Sequence, residues 1–154
     1  KKIAWLGDGN NVVYSLIEAA VQFDFQLTIA CPKKLEPNKK IVKWAKDKKA
    51  NILITKDPKE AAEDASAVIT DKWISMGDGA NKKKKKKLLK PYQVNEKIMK
   101  LAKSDAIFMH CLPANRNEEV TDSVMDGEQS AVWLEALNRM HVQKSIIQFC
   151  LNLL

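Results

Sequence analysis

Three polar clusters, each directly after a short apolar run, hold the side chains of this 154-residue chain that could do chemistry. They are residues 7–11 (Gly-Asp-Gly-Asn-Asn), 71–77 (Asp-Lys-Trp-Ile-Ser-Met-Gly) and 110–113 (His-Cys-Leu-Pro). A carboxylate such as Asp71 can bind an amine, and it can also shift the pKa of a nearby thiol such as Cys111. The three clusters together would therefore make a candidate site for a ligand that carries an amine.

The neighbouring residues His110 and Cys111 allow two interpretations. On a strand their side chains point to opposite sides, so adjacency does not make them a nucleophile and its base. No second Cys or His lies at zinc-ligand spacing, and we predict no metal site. A buried thiol beside a hydrogen-bonded histidine is the structural alternative to a role in binding or catalysis.

The glycine-rich cluster at residues 7–11 opens a predicted helix, so its backbone N–H groups would point toward the candidate site. It departs from the dinucleotide fingerprint because Val12 stands where the third glycine belongs, and Cys31 and Pro32 close the second strand where an acidic residue is expected. We predict no dinucleotide cofactor. The structural alternative is a tight turn with an asparagine as helix cap.

Arg139 is the one arginine whose position suggests a ligand contact. We expect it just before a terminal helix, where its planar guanidinium could hold a phosphate or carboxylate oxygen. A surface arginine without a ligand is the alternative.

Six consecutive lysines at residues 82–87 account for most of the formal net charge of +7. A run of this kind is typical of a solvated, mobile loop. It could also contact a phosphate backbone, but no aromatic residue is interleaved to stack on bases. The run therefore favours a mobile loop over nucleic-acid binding.

Short apolar runs alternate with amphipathic segments along the whole chain. Strands are predicted at residues 2–6, 26–31, 51–55, 67–71 and 106–112, and helices at 12–23, 38–49, 57–64, 94–102, 118–125 and 138–154. An irregular stretch is expected at 72–90 and an extended segment at 130–133. This alternation predicts one α/β domain over residues 1–154, a doubly wound, mainly parallel sheet with helices on both faces. In such sheets ligands bind at the carboxyl ends of the strands, where all three polar clusters fall.

The composition fits a globular protein of the cytoplasm. Hydrophobic residues make up 45% of the chain and charged residues 29%. No apolar run approaches the roughly 18 residues of a membrane span, and the first residues do not resemble a signal peptide. Three cysteines, Cys31, Cys111 and Cys150, are an odd number that favours reduced thiols.

Several strings together resemble one family, the ornithine carbamoyltransferases, in their C-terminal, ornithine-binding half. The strings are residues 5–11, 71–77, 91–95, 108–113, 118–122 and 138–139, and they occur in the family's order across essentially the whole chain. The His-Cys-Leu-Pro and Ser-Met-Gly strings resemble the ornithine enzyme more than its aspartate-using relative.

The resemblance implies transfer of the carbamoyl group from carbamoyl phosphate to the δ-amine of ornithine, a step of arginine biosynthesis, without a metal or organic cofactor. It implies that Asn11, Asp71, Ser75 and Met76 hold the amino-acid end of ornithine. It also implies that Cys111 and the backbone carbonyl of Leu112 lie near the δ-amine, that His110 is among the substrate-binding residues, and that Arg139 contacts carbamoyl phosphate. Asp71, Cys111 and Arg139 are the implied catalytic residues, and a homo-oligomer, a trimer in the family, is the implied assembly. Close diamines such as putrescine stay open as substrates.

Some features depart from the family pattern. The half that binds carbamoyl phosphate has no counterpart among these residues, so the chain alone is expected to be inactive or nearly so. Leucines stand at Leu134 and Leu137, where the family usually has acidic residues, and exposed leucines at that spacing favour association. The alternative function is therefore a self-associating scaffold without catalysis.

Overall fold

Five short apolar segments form one parallel β-sheet in the computed structural model of this chain, which describes residues 1–74 and 81–152. The strands are β1 (Lys2–Leu6), β2 (Gln26–Ala30), β3 (Ile52–Thr55), β4 (Ala67–Thr70) and β5 (Ile107–His110). Their order is β3-β2-β1-β4-β5, and every neighbouring pair is parallel. The direction of winding reverses between β1 and β4, which makes this the position where ligands bind in open α/β sheets.

Helices cover both faces of the sheet. They are α1 (Asn11–Phe23), α2 (Lys39–Asp47), α3 (Pro58–Ala62), α4 (Lys82–Leu89), α5 (Glu96–Met99), α6 (Asp122–Met125) and α7 (Val132–Cys150). Successive residues of β1 face opposite sides: Trp5 shares a buried cluster with Val13 of α1, whereas Leu6 shares a second cluster with Ala61 of α3. The predicted doubly wound sheet is confirmed.

The lysine run is a helix, so the prediction of a mobile loop was wrong. Repulsion between like charges one turn apart disfavours such a helix in isolation. Here α4 is held by tertiary contacts: Leu89 is fully buried, and Lys85 and Lys86 pair with Asp8 and Glu118 on two separate loops. These tertiary contacts outweigh the repulsion between the lysines. The prediction from the sequence took only that repulsion into account.

The terminal helix α7 begins at Val132, six residues before the predicted start at residue 138. Ser130 forms a parallel bridge with Phe108, the N–H of Ala131 donates to the Phe108 carbonyl at 2.8 Å, and Val132 is buried. The prediction of an extended segment at residues 130–133 is therefore correct for its beginning at Ser130 and wrong for residues 132–133, which are helical. Arg139 lies within the helix and does not precede it.

Most of α7 stands away from the rest of the described structure. Val132 is its buried residue, and the large apolar side chains after it are exposed. Among residues 1–74 and 81–152, however, no helix is both long and apolar enough to cross a membrane.

Two other helices are shorter than predicted because a backbone bridge takes up their first residues. Val94 and Val120 pair as isolated parallel partners, with the Val94 N–H donating to the Glu119 carbonyl at 2.9 Å and the Thr121 N–H to the Val94 carbonyl at 3.1 Å. Helix α5 then starts at Glu96, capped by Asn95, and α6 starts at Asp122.

The turn after β1 depends on a glycine that no larger residue could replace without movement. A Cβ atom on Gly9 would lie 2.5 Å from the Pro37 nitrogen and closer still to the Leu35 carbonyl oxygen. The Gly9 N–H donates to that same carbonyl at 2.8 Å. This close approach fixes the turn from which α1 begins.

Candidate functional site

Hydrogen bonds join the three polar clusters at the carboxyl edge of the sheet. The Asn10 Nδ2 group donates to Asp71 Oδ2 at 3.0 Å, and the Cys111 thiol donates to Asp71 Oδ1 at 3.2 Å. Asn10 precedes α1, Asp71 follows β4, and Cys111 follows β5. The predicted convergence of the clusters is confirmed for the described residues, with Asp71 at its centre.

The Asp71 carboxylate is held in a fixed orientation. Its Oδ1 atom accepts a further hydrogen bond from the Lys72 N–H at 2.6 Å. Asn10, which holds the other oxygen, is itself fixed because its Oδ1 caps α1 by accepting from the Val12 and Val13 N–H groups at 3.0 and 3.4 Å. The half-buried Asp71 carboxylate still has free lone pairs beside these partners. It can therefore accept hydrogen bonds from a cationic ligand without changing its orientation.

The Cys111 thiol is a hydrogen-bond donor at neutral pH. Burial, followed by the negative charge of Asp71 and the hydrogen bond to it, raises the pKa of Cys111 to about 12. A thiolate is the form that attacks electrophiles and binds metals, and almost none is present under these conditions. Cys111 is therefore present as a thiol that donates to Asp71, and a covalent role is not favoured.

A fully buried pair, His110 and Glu119, lies behind Cys111. His110 Nδ1 accepts from the Leu112 N–H at 2.9 Å, so the imidazole proton is on Nε2, which lies 3.5 Å from Glu119 Oε1. Glu119 Oε1 also accepts from the Asn115 N–H at 2.5 Å. The pair thus fixes two backbone positions of the loop that carries Cys111.

Glu135 ties the first turn of α7 to the end of β5. Its Oε2 accepts from the His110 N–H at 3.0 Å. Burial raises the pKa of Glu135, while the hydrogen bond from His110 and the positive charge of Arg139 oppose that shift. The start of α7 is therefore part of the framework around the candidate site.

The sequence model for the aspartate/ornithine carbamoyltransferase Asp/Orn binding domain matches residues 1–150. The chain belongs to this carbamoyltransferase family. An ornithine carbamoyltransferase of Rhodopseudomonas palustris is 54% identical over 152 residues, which are 99% of this chain and 49% of that protein. The chain spans about half the length of the curated relatives it matches.

Solved structures agree with this assignment. The ornithine carbamoyltransferase from Pyrococcus furiosus is 42% identical, with a TM-score of 0.88 over 96% of this chain and 48% of that one. The anabolic ornithine carbamoyltransferase from Campylobacter jejuni is 35% identical, with a TM-score of 0.92 over 99% of this chain and 52% of that one. The resemblance to the carbamoyltransferase family is confirmed.

Some of the residues implied by the carbamoyltransferase resemblance lie together, and others do not. Asp71, His110, Cys111 and Leu112 form one connected group. Asn11 is exposed on the first turn of α1, and Arg139 is exposed on α7 one turn beyond Glu135. Ser75 and Met76 lie outside the described residues.

The sequence patterns do not identify two residues of this candidate site. The sequence predicts an asparagine in residues 7–11 only as a helix cap, whereas Asn10 both caps α1 and holds Asp71. Glu119 was noted only as part of a family string, although it is fully buried against His110. The sequence does contain a signal for Asn10. When the side-chain oxygen of an asparagine caps a helix, its NH2 group is still free to donate a hydrogen bond to another residue.

Proposed function

We propose that this chain is the ornithine-binding part of an ornithine carbamoyltransferase. In the complete enzyme the carbamoyl group passes from carbamoyl phosphate to the δ-amine of ornithine, and the products are citrulline and phosphate. The observation that carries the proposal is the Asp71 carboxylate, held by Asn10 and Cys111 at the carboxyl edge of the sheet. By the same resemblance, we propose a homo-oligomeric, cytoplasmic enzyme, a trimer as in the family.

The amino-acid end of ornithine needs a carboxylate and fixed hydrogen-bond donors. Asp71 is proposed to accept hydrogen bonds from the α-ammonium group, since a charge-assisted pair of this kind is short and strong. Asn11 at the start of α1, together with Ser75 and Met76, is proposed to complete this end of the site. The helix start adds partial positive charge that favours the α-carboxylate.

The δ-amine must lose a proton before its lone pair can attack the carbamoyl carbon. A new N–C bond then forms, the C–O bond to phosphate breaks, and phosphate leaves with the bonding electrons and takes up the proton that the attacking nitrogen loses. The Leu112 carbonyl oxygen and the Cys111 sulfur are proposed to accept hydrogen bonds from the N–H groups of the attacking amine, which leaves its lone pair free, while the Cys111 S–H group donates to Asp71. Leu112 has a φ of 55°, a conformation that leucine rarely adopts, and the hydrogen bond from its N–H to His110 Nδ1 helps to hold it there.

Carbamoyl phosphate is proposed to bind mainly through residues outside this chain. The chain matches only about half of each relative, and Arg139 is the one residue proposed here to contact the phosphate donor. The chain alone is therefore expected to bind ornithine weakly and to produce little or no citrulline.

Calorimetric titration with ornithine tests this proposal. We expect a dissociation constant on the order of millimolar for ornithine, with weaker binding of putrescine, which lacks the α-carboxylate, and of norvaline, which lacks the δ-amine. Citrulline should form only when the carbamoyl phosphate-binding half of a relative is added. Equal affinity for putrescine and ornithine, or no citrulline from the complemented protein, would contradict the proposal.

A second candidate function is self-association through α7, and the exposure of its leucines favours it. Leu134 is 59% exposed and Leu137 is 50% exposed, in a helix whose exposed apolar side chains continue to Phe149. Exposed apolar surface of this extent is typical of an interface. On this hypothesis the chain is a scaffold, whether or not it binds ornithine.

The paired substitution Leu134→Asp and Leu137→Glu tests the second candidate. We expect sedimentation velocity to detect a wild-type dimer or higher oligomer that dissociates in this variant. The matched control places the same two acidic residues at Lys39 and Lys43 on the exposed side of α2. An oligomeric state unchanged by the leucine substitutions would exclude association through these residues.

A further inference from the structure

Helix α4 is attached to two of the loops that form the candidate site. Lys85 Nζ lies 2.7 Å from Asp8 Oδ2, and the two side chains are only 13% and 14% exposed. Lys86 Nζ lies 2.5 Å from Glu118 Oε1, in a pair that is 46% and 34% exposed. The Lys85–Asp8 pair is the better shielded from solvent and salt, so it contributes more to holding α4 in place.

The two acidic partners lie on either side of the strand that leads to Asp71. Asp8 belongs to the turn after β1, and Glu118 to the loop after β5, whereas β4 lies between β1 and β5 in the sheet. Helix α4 therefore spans the carboxyl edge at the position of the site. Asp8 is two residues from Asn10, and Glu118 is next to Glu119, so both ion pairs act on loops that hold Asp71 or Cys111.

We propose that Lys85 is a positioning residue that sets the affinity for ornithine by holding the turn at residues 7–11 against Asp71. The inference rests on the proposed function for its ligand. Asp8 is tied to the body of the domain on its other side, because its carbonyl accepts from Trp5 Nε1 at 3.0 Å. Pairing with Lys85 fixes the remaining freedom of this turn, and through Asn10 it fixes the carboxylate that receives the α-ammonium group.

The substitution Lys85→Gln tests this role against Lys83→Gln, which removes the same charge from an exposed position of the same helix. We expect Lys85→Gln to weaken ornithine binding about fivefold to tenfold, which is within the range measured for coupled neighbouring groups. Lys83→Gln should leave the affinity within about twofold, and Lys85→Arg should restore most of it. Equal effects of the two glutamine substitutions would overturn the proposal.

Hydrogen exchange gives a readout that needs no ornithine. The Gly7 and Gly9 N–H groups donate to the carbonyls of Ala30 and Leu35 at 3.0 and 2.8 Å. In Lys85→Gln these two amides should exchange about tenfold faster, while amides in the middle of β2 stay unchanged. Faster exchange throughout the sheet would mean general destabilisation and would contradict a local role.

A double-mutant cycle with Asp8→Asn completes the test. If the two residues act through their ion pair, the double variant should be no weaker in binding than the single variants, and additive losses would overturn the proposal. Absence of ornithine binding by the wild-type chain would contradict the proposed function. In that case the exchange rates of Gly7 and Gly9 still decide whether Lys85 holds the turn.

Discussion

Substituting Asp71 with Asn is expected to weaken ornithine binding by about a hundredfold or more while the fold stays intact. Asparagine keeps the shape of the side chain but removes the negative charge that would face an α-ammonium group. Loss of one partner from a partly buried, hydrogen-bonded charge pair costs on the order of 2–5 kcal/mol, and a value of about 3 kcal/mol within that range corresponds to a little more than a hundredfold. Because the expected wild-type dissociation constant is already on the order of millimolar, calorimetry with ornithine should detect no binding by the variant under conditions where the wild type binds.

The same variant should change the chemistry of Cys111 in a defined direction. Burial and the charge of Asp71 together raise the pKa of Cys111 to about 12. Removing that charge lowers the pKa, so the thiolate fraction at pH 8–9 rises and alkylation by iodoacetamide becomes faster. Mass spectrometry of the Cys111 peptide, with Asp105→Asn as an exposed control on the opposite edge of the sheet, measures this rate.

These two measurements distinguish a binding role from a structural one. If Asp71 only supports the fold, the asparagine variant should lower the midpoint of urea unfolding and leave the affinity of the folded fraction unchanged. An unaltered ornithine affinity would contradict the binding role of Asp71, and slower alkylation of Cys111 would contradict the effect of the Asp71 charge on the thiol. Asp105→Asn is expected to change neither quantity.

The sheet and the meeting of the three clusters could be predicted because both follow from local patterns. Short apolar runs separated by amphipathic segments specify parallel strands with crossover helices, and parallel strands bring their carboxyl ends to one edge. Asp71 and Cys111 each directly follow a strand, so their proximity follows from strand order alone. Their direct hydrogen bond is the structural detail that confirms it.

The parts that sequence reasoning missed depend on contacts between segments distant in the chain. The lysine run suggests a loop, and the burial of Leu89 together with the pairing to Asp8 and Glu118 explains why it is helical. Asn10 and Asn11 are identical in type, and the start of α1 decides which of them faces Asp71. Such choices are set by packing geometry, which a local pattern does not encode.

Replacing Glu119 with Ala is expected to destabilise the domain by about 3 kcal/mol, the largest effect on stability that we anticipate among the site residues. The substitution leaves a void in the core and removes the acceptor of the Asn115 N–H. It also leaves the buried imidazole of His110 without the carboxylate that faces its Nε2 atom. The lost hydrogen bond to Asn115 and the unfilled void are both costly inside the protein.

Two matched substitutions separate these contributions, with urea unfolding at pH 7 as the measurement. Glu119→Gln keeps the volume and an oxygen acceptor for Asn115, so its cost should be clearly smaller than that of Glu119→Ala. Glu118→Ala removes the neighbouring glutamate, whose ion pair with Lys86 is partly exposed, and should cost less than about 1 kcal/mol. A Glu119→Ala variant as stable as Glu118→Ala would mean that the buried pair does not hold the Cys111 loop. The loop would then have to be fixed by its remaining contacts. Among these, the hydrogen bond from Cys111 joins the loop directly to Asp71, the carboxylate that is proposed to bind the α-ammonium group of ornithine.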